Sequence, residues 1–469
     1  MTASELEQVE TEASAPAPRL PPLVRSLEVV ELFGRYSYRV LVPEGARTDR
    51  LVLFYGDNGK GKTTILRLLW HLLSPAADRH HRSRIAKIPF KNFLVHLEDG
   101  SSIEASRPAP VAGPYSIVVR DRSGQAISHG EWPTSKGALS DWDLDTLRAN
   151  LSHLPKELKD EAERSASRLV YLEMLANLGA RPYFLADDRN IYNDDLDETA
   201  KERRLREHAH WTRTEQSAEG VENSNVAAEL QMSISRANEI LRQMTIGGTQ
   251  SGSANANAVY LDVITRLAAV QPEMGPQPYV LDSLKARIIE LGERSRPYEE
   301  LRLVPEFPDR RFYDTLELLA DENAGIAEEV LVPYLSTIDA RLDALEDAQS
   351  LISTFLTETN GFLNDKQMAF SPRTGLQILT ADDRLMPLQL SSGERQLVLL
   401  LCNALLARQG SRLFLIDEPE LSLNVKWQRR IVDSLLKVTN DAPVQFFIAT
   451  HSIELLSSYK ANVVRLESL

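Results

Sequence analysis

Three textures of apolar and polar positions divide the chain. From 24 to 55 the runs LVRSLEVVELF, YSYRVLV and RLVLFYG alternate or cluster apolar, β-branched and aromatic residues, which predicts three strands. The third run ends in Gly56 and opens into KTTILRLLWHLL, whose spacing predicts a helix stopped near Ser74-Pro75. FLVHLED, SIEASR and YSIVVRD predict further short strands turned at Asp99-Gly100 and Ser123-Gly124, an antiparallel β region beside the third strand.

From about 145 to 365 helical periodicity dominates, interrupted by a mixed-charge segment from Asp187 to Glu222 and by GGTQSGSANANA at 247–258. PYFL at 182–185 predicts one isolated strand. Between 325 and 363 apolar positions such as Leu331, Leu335, Leu342, Leu345 and Phe355 predict helix. Pro333 predicts a break into two packed helices instead of one extended arm.

After 366 strand texture returns. KQMAFSP and GLQILTADDRLMPLQL predict a hairpin that delivers the chain to LSSGERQ. A helix to about Arg408, the strand RLFLID, the helix VKWQRRIVDSLLKV, the strand VQFFIATHS and a short helix and strand follow. The expected organisation is a disordered tail over 1–22, an N-terminal lobe over 23–144, a helical insertion over 145–365 and a C-terminal lobe over 366–469.

Composition narrows the class. At 469 residues the chain exceeds one ordinary core, and 43% hydrophobic with 26% charged residues is globular. The single cysteine, Cys402, excludes intrachain disulfides and cysteine-rich zinc sites and fits a reducing cytosol. No run of 18 uncharged apolar residues exists, so no membrane span is expected. The first 22 residues lack a hydrophobic core of the signal-peptide kind, and the expected location is cytoplasmic. A net charge of −14 argues against a protein that coats nucleic acid. It leaves room for a local patch, RHHRSRIAK at 79–87 with Lys91, which reads either as a solvated loop or as a DNA contact.

The chemistry concentrates in four places. GDNGKGKT, from Gly56 to Thr63, fits G-x-x-x-x-G-K-[ST] between a strand and a helix. Its glycines let backbone N–H groups approach phosphate oxygens, and the helix N-terminus adds positive potential. Lys62 supplies a point charge for the β- and γ-phosphates, and the Thr63 hydroxyl is placed to ligate Mg²⁺. LFLIDEPE, from Leu413 to Glu420, describes a buried strand presenting Asp417 for Mg²⁺ and Glu418 to polarise a water. FFIATHS ends another strand on His451, either a structural histidine or a hydrogen-bond partner for a γ-phosphate. LSSGERQ, read alone, is a helix start capped by Ser391 or Ser392 with Glu394 in the dipole-favoured first turn.

In this order, GDNGKGKT, LSSGE, LFLIDEPE-LSLN and ATHS resemble the Walker A, signature, Walker B, D-loop and switch-histidine motifs of ABC-type ATPases. The resemblance implies an α/β P-loop NTPase head, a mixed β-sheet with flanking helices plus an antiparallel β region, carrying a large helical insertion. It implies ATP and Mg²⁺ as ligands. Gly56, Asn58, Gly59, Gly61, Lys62, Thr63 and Thr64 would hold the nucleotide. Ser391, Ser392 and Gly393 would touch it from a second protomer. Glu418 would be the base, with His451 and Lys62 beside it, Thr63 and Asp417 would hold the metal, and Ser422 and Asn424 would form the D-loop. The family's Q-loop glutamine has no clear counterpart, Gln125 being the only glutamine between Walker A and Gln216.

The helical middle segment is similar to that of RecF, SMC and OLD-like ATPases, whose two head halves flank an arm. Long heptad arms and a Cys-x-x-Cys hook are missing, and the residues after His451 leave no room for a Toprim or HNH nuclease. The chain therefore resembles stand-alone ATPase subunits of two-component bacterial antiphage systems such as PARIS and Septu. That resemblance implies a head-to-tail dimer or higher homo-oligomer, a separate effector such as a nuclease or toxin, a phage protein or DNA as trigger, and no membrane partner. A DNA-repair or chromosome-maintenance ATPase that binds DNA is the alternative. EPELSLNVKWQ departs from the EPELSLHPKWQ common in that group at Asn424 and Val425.

Overall fold

The computed structural model describes residues 23–43, 50–77, 79–132, 156–186, 191–193, 229–246, 278–318, 324–380, 384–385, 389–410, 412–421 and 423–467. The expected tail at 1–22, nearly all of the mixed-charge segment at 187–222 and GGTQSGSANANA at 247–258 lie outside them. The chain packs as two compact units, 1–226 with 407–469, and 227–406.

In the first unit, six strands form an antiparallel sheet in the order β2-β1-β4-β5-β6-β7. They are β1 (Val24–Leu32), β2 (Tyr36–Leu41), β4 (Asn92–Leu97), β5 (Ser102–Ser106), β6 (Tyr115–Arg120) and β7 (Ala126–Trp132). The YSIVVR of β6 alternates buried and half-buried positions, as one covered sheet face requires. A second sheet runs β15-β3-β14-β13-β8-β9. Its strands are β3 (Leu51–Tyr55), β8 (Tyr183–Leu185), β9 (Ile191–Asn193), β13 (Leu413–Asp417), β14 (Gln445–Ala449) and β15 (Val463–Arg465). All neighbours in it are parallel except β8 and β9. LFLID and QFFIA are buried throughout, because helices cover parallel strands on both faces. Each fully buried apolar side chain in such a strand contributes about 1.5–3 kcal/mol.

Helix α1 (Lys62–Leu73) packs on β13 and β14, with α2 (His81–Ile85) behind it. Gln445, fully buried, ties the two sheets by accepting from the Val24 N–H at 3.0 Å and donating to the Val24 carbonyl at 2.9 Å. The basic cluster at 79–87 is divided between surface and core: His80, Arg84 and Lys87 are exposed, as is Lys91. Arg82 is buried, its guanidinium donating to the Ser74 carbonyl at 2.5 Å and the Ala76 carbonyl at 3.3 Å and lying 4.9 Å over the Tyr171 ring. Lys91 pairs with Glu31 at 2.9 Å.

His71 and His81 are buried together, their Nδ1 atoms 2.9 Å apart, so one ring donates to the other. Burial first, then the neighbouring His81 and arginines, pushes the His71 pKa down to about 2. A folded pKa below the unfolded value means stability is full above about 6.5 and falls as pH drops below it, at about 1.4 kcal/mol per pH unit. Between pH 7 and pH 5 the titration of His71 should remove about 2 kcal/mol. Urea unfolding at a series of pH values should show this slope and show it flattened in His71→Leu; an equal slope in the variant would locate the acid sensitivity elsewhere.

The division by packing differs from the expected lobe boundaries at both ends of the insertion. The predicted stray strand at 182–185 is β8, which pairs parallel to β13 and widens the head sheet. Helix α3 (Lys156–Asn177) lies against β7, and the hydroxyl of the fully buried Tyr171 donates to the Leu72 carbonyl. At the other end, 366–406 belongs to the second unit.

That unit contains helices α4 (229–246), α5 (Pro278–Glu300), α6 (Asp309–Glu317), α7 (Ala324–Asn360) and α8 (Ser392–Ala407), with a three-stranded antiparallel sheet of β10 (Gln367–Ser371), β11 (Gly375–Leu379) and β12 (Arg384–Leu385). The expected break at Pro333 is absent: α7 is one helix of 37 residues with the proline inside it. An internal proline costs about 3 kcal/mol. Here Ser336 and Thr337 donate their hydroxyls to the Val332 and Pro333 carbonyls at 2.8 and 2.9 Å. A buried stripe from Leu335 through Leu342, Leu345 and Ile352 to Phe355 packs the helix, and Arg287 and Arg294 of α5 hold Asp339 at 3.3 and 3.0 Å. Packing along the whole length outweighs the local defect. Cys402, fully buried on α8, has its thiol pushed up to about 12 by burial and is chemically inert.

Candidate nucleotide site

The site begins where β3 ends. The chain leaves the sheet at Gly56, turns through Gly59 and Gly61 at φ +81 and +90°, and enters α1 at Lys62. At Gly61 an ideal Cβ would stand 2.6 Å from Cδ2 of the buried Leu32, so only glycine fits between the loop and β1. The Tyr38 hydroxyl donates to the Lys60 carbonyl at 2.9 Å, bracing the loop from β2. Asn58 is exposed and Thr64 half-buried on the same turn.

Lys62 folds back over this loop, its Nζ donating to the Gly56 carbonyl at 2.7 Å and the Asp57 carbonyl at 3.2 Å. Burial lowers its pKa, opposed by the carboxylates of Glu418, Asp417, Asp57 and Glu420. Thr63 donates its hydroxyl to Asp417 Oδ1 at 3.1 Å. Asp417 is 2% exposed at the end of β13. A hydroxyl and a carboxylate held together fit Mg²⁺, an ion that takes one or two protein oxygens and completes its shell from phosphates and water. Among the described residues, no group of three or more His, Cys, Asp or Glu gathers as a metal site of its own.

Glu418 follows with φ +48°, a left-handed backbone that a β-branched residue would not adopt. Its N–H donates to the Ala449 carbonyl at 2.9 Å, which locks the end of β13 to the end of β14. His451, two residues beyond β14, places Nε2 3.7 Å from Glu418 Oε1, both side chains about one-third exposed. Lys62, Thr63, Asp417, Glu418 and His451 therefore converge at the carboxyl edge of β3, β13 and β14, the edge where open α/β sheets bind ligands.

The remaining expected residues stand as follows. Ser391, Ser392 and Gly393 start α8 in the second unit. There the Ser391 N–H donates to Glu394 Oε2 at 2.8 Å, and Glu394 returns its N–H to the Ser391 hydroxyl at 3.3 Å, a reciprocal capping box. Burial alone would raise the Glu394 pKa. The Lys366 ammonium, bonded at 2.8 and 3.0 Å, and the Ser391 donors outweigh it and hold the carboxyl below its ordinary value. Asn424 caps helix α9 (Val425–Val438), accepting the Trp427 N–H at 2.9 Å, so its side chain has a structural task at the position expected for the D-loop. Ser422 lies outside the described residues. Gln125 sits in the hairpin between β6 and β7.

Two residues were not singled out by sequence. Glu420 accepts, on one oxygen, from the Thr450 hydroxyl at 2.8 Å, the His451 N–H at 2.5 Å and the Ser452 N–H at 3.0 Å. Gln428 accepts from the Ser452 hydroxyl at 2.8 Å and donates to the Leu423 carbonyl at 2.9 Å. Glu420 stood inside the quoted LFLIDEPE, but nothing local to it announces a partner thirty residues later.

Residues 281–457 match a family model described as "AAA domain, putative AbiEii toxin, Type IV TA system". Among proteins of curated function none matches the sequence. Two solved structures align at low identity. One is the Smc head domain of Pyrococcus furiosus with an extended coiled coil, bound to the C-terminal domain of ScpA (14% identity, 95% of this chain and 93% of that one, TM-score 0.38). The other is an Smc head bound to the C-terminal winged-helix domain of ScpA (12%, 95% and 94%, TM-score 0.37). The matched family segment covers well under half of the chain and runs from α5 to α10 (Ile453–Ser458), so it contains Ser391, Gly393, Asp417, Glu418 and His451. The chain carries an α/β P-loop NTPase fold, and the stretch that bears its acidic residues and His451 is similar to an AAA-type ATPase domain.

Proposed function

We propose that the protein is an ATP-binding and ATP-hydrolysing switch that dimerises head-to-tail around nucleotide and controls a separate effector, a nuclease or toxin, in bacterial antiphage defence. The observation that carries the catalytic part is the convergence on one sheet edge of Thr63 with Asp417 at 3.1 Å and of Glu418 with His451 at 3.7 Å. Bound Mg²⁺, held by Thr63 and Asp417, would offset charge on the phosphate oxygens. Glu418 takes the proton of the attacking water as its oxygen bonds to the γ-phosphorus and the bond to the β-phosphate oxygen breaks, releasing ADP and phosphate. His451 donates to a γ-phosphate oxygen, and Lys62 exchanges its loop carbonyls for the β- and γ-phosphates.

Ser391, Ser392 and Gly393 of a second copy would complete the site. Their exposed serines and the start of a helix of 16 residues suit a phosphate, and contact with the γ-phosphate gives ATP a preference for the dimer that ADP lacks. No helix of the described residues is long and apolar enough to cross a membrane, and the cytoplasm is the proposed place of action. Arg82 is buried, whereas Arg84, Lys87 and Lys91 are exposed and remain the surface that the DNA-binding alternative would use.

Mixing two dead variants tests the trans arrangement. Lys62→Ala lacks a working P-loop and Ser391→Arg blocks the signature. An equimolar mixture should recover up to about a quarter of wild-type turnover, because one composite site in half of the dimers joins two intact halves. A mixture as inactive as its components would refute the head-to-tail site.

A further inference from the structure

Beyond the residues that face nucleotide, the structure holds a closed ring of hydrogen bonds between the segment after Glu418 and the loop that carries His451. Glu420 Oε1 accepts from the Thr450 hydroxyl and from the backbone N–H groups of His451 and Ser452. The Ser452 hydroxyl donates to Gln428 Oε1, and Gln428 Nε2 donates to the Leu423 carbonyl. Leu423 closes the ring by donating its N–H to the Glu420 carbonyl at 2.9 Å. Thr450 is pinned on its other side, its N–H donating to the Phe54 carbonyl at 3.1 Å immediately before the P-loop.

Three donors converging on one carboxylate oxygen fix a loop far more tightly than a single bond, since bonds to a charged acceptor are roughly twice as strong as neutral ones. The donors belong to three consecutive residues, with His451 in the middle. Its imidazole is half-buried and stands 3.7 Å from Glu418. The backbone that carries the ring is held by Glu420.

We infer that Glu420 is a positioning residue for hydrolysis: it holds the His451 backbone so that the imidazole meets Glu418 and the γ-phosphate, and the Gln428–Ser452 link makes that position respond to Leu423. This rests on the proposed ATPase reading. The role of Leu423 follows from the ring itself: displacing it pulls on Gln428, Gln428 on Ser452, and Ser452 on the oxygen that holds His451.

The test uses Glu420→Ala, Glu420→Gln, Gln428→Ala, His451→Ala and the double variant Glu420→Ala/His451→Ala, all in the full-length protein. Steady-state ATPase should give Glu420→Ala a kcat lowered at least tenfold with KM changed less than threefold. Glu420→Gln, whose amide oxygen can accept from the same donors, should keep more than a third of wild-type kcat. The double variant should be no slower than His451→Ala alone, because Glu420 acts through His451. Multiplying losses would show instead that Glu420 merely stabilises the fold, and would overturn the inference. Hydrogen exchange separates this from the ATPase reading. The peptide spanning 450–456 should exchange at least tenfold faster in Glu420→Ala, and measurably faster in Gln428→Ala, whether or not the protein hydrolyses ATP. Faster exchange without wild-type turnover would sink the ATPase reading while leaving the hydrogen-bonded ring standing. Unchanged exchange in Glu420→Ala would sink the inference itself.

Discussion

Glu418→Gln is expected to lower kcat about a thousandfold while leaving ATP affinity within threefold of wild type. Removing a positioned general base typically costs 10²–10⁴ in rate. Glutamine keeps the shape of the side chain and the N–H bond to Ala449 that sets the turn. What it loses is the ability to take a proton from water. Single-turnover hydrolysis measures the rate, and a fluorescent ATP analogue measures the affinity. Because hydrolysis is what would release the nucleotide-bound pair, the same variant should accumulate as an ATP-dependent dimer in light scattering. A variant that still turns over within tenfold of wild type would remove Glu418 from the role of base.

The second large effect concerns the P-loop backbone. Gly59→Ala and Gly61→Ala both force alanine into the left-handed region, at φ +81 and +90°, for about 1–2 kcal/mol each. Only Gly61 adds a collision: its Cβ would come within 2.6 Å of Leu32 Cδ2, whereas at Gly59 nothing lies within 4 Å. Overpacking of that kind costs about 1–3 kcal/mol more. Urea unfolding without nucleotide should therefore find Gly61→Ala less stable than Gly59→Ala by that increment. ATP affinity in the Gly61 variant should fall at least thirtyfold, since the loop and Leu32 cannot both keep their places. Equal stability of the two variants would mean that Leu32 yields freely and the loop is not wedged.

Much of the head was legible in local pattern. The strands at 24–55, the helix from Lys62, the helix at 425–438 and the strand before His451 are set by short apolar runs with clear turn residues at their ends. Ser391 and Glu394 form the cap that their spacing implies. What sequence hid was decided by contacts between distant segments. Pro333 obeys the rule for helix breakers until a buried stripe and the arginines of α5 hold the helix through it. Three residues, Tyr183–Leu185, are too short to signal which sheet they join, yet their pairing with β13 moves the domain boundary by tens of residues. Arg82 read as surface because arginines usually are. Glu420 read as one more acid because its partners arrive thirty positions later.

The order of strands in the second sheet has a consequence for how the protein is made. Leu51–Tyr55 pairs on one side with 446–449 and on the other with 463–465. At about 5–20 residues per second on the ribosome, that strand waits roughly 20–80 s with both of its edges open. Asp417 meets Thr63 under the same delay. The chain therefore emerges with its phosphate loop early and its acidic residues late. An unfinished chain would hold a GDNGKGKT sequence with no sheet neighbours to fix it, and the exposed LVLFY would be a target for chaperones. On the proposed function, nucleotide competence would be acquired in one late step, once the strands that carry Asp417 and His451 have joined the sheet.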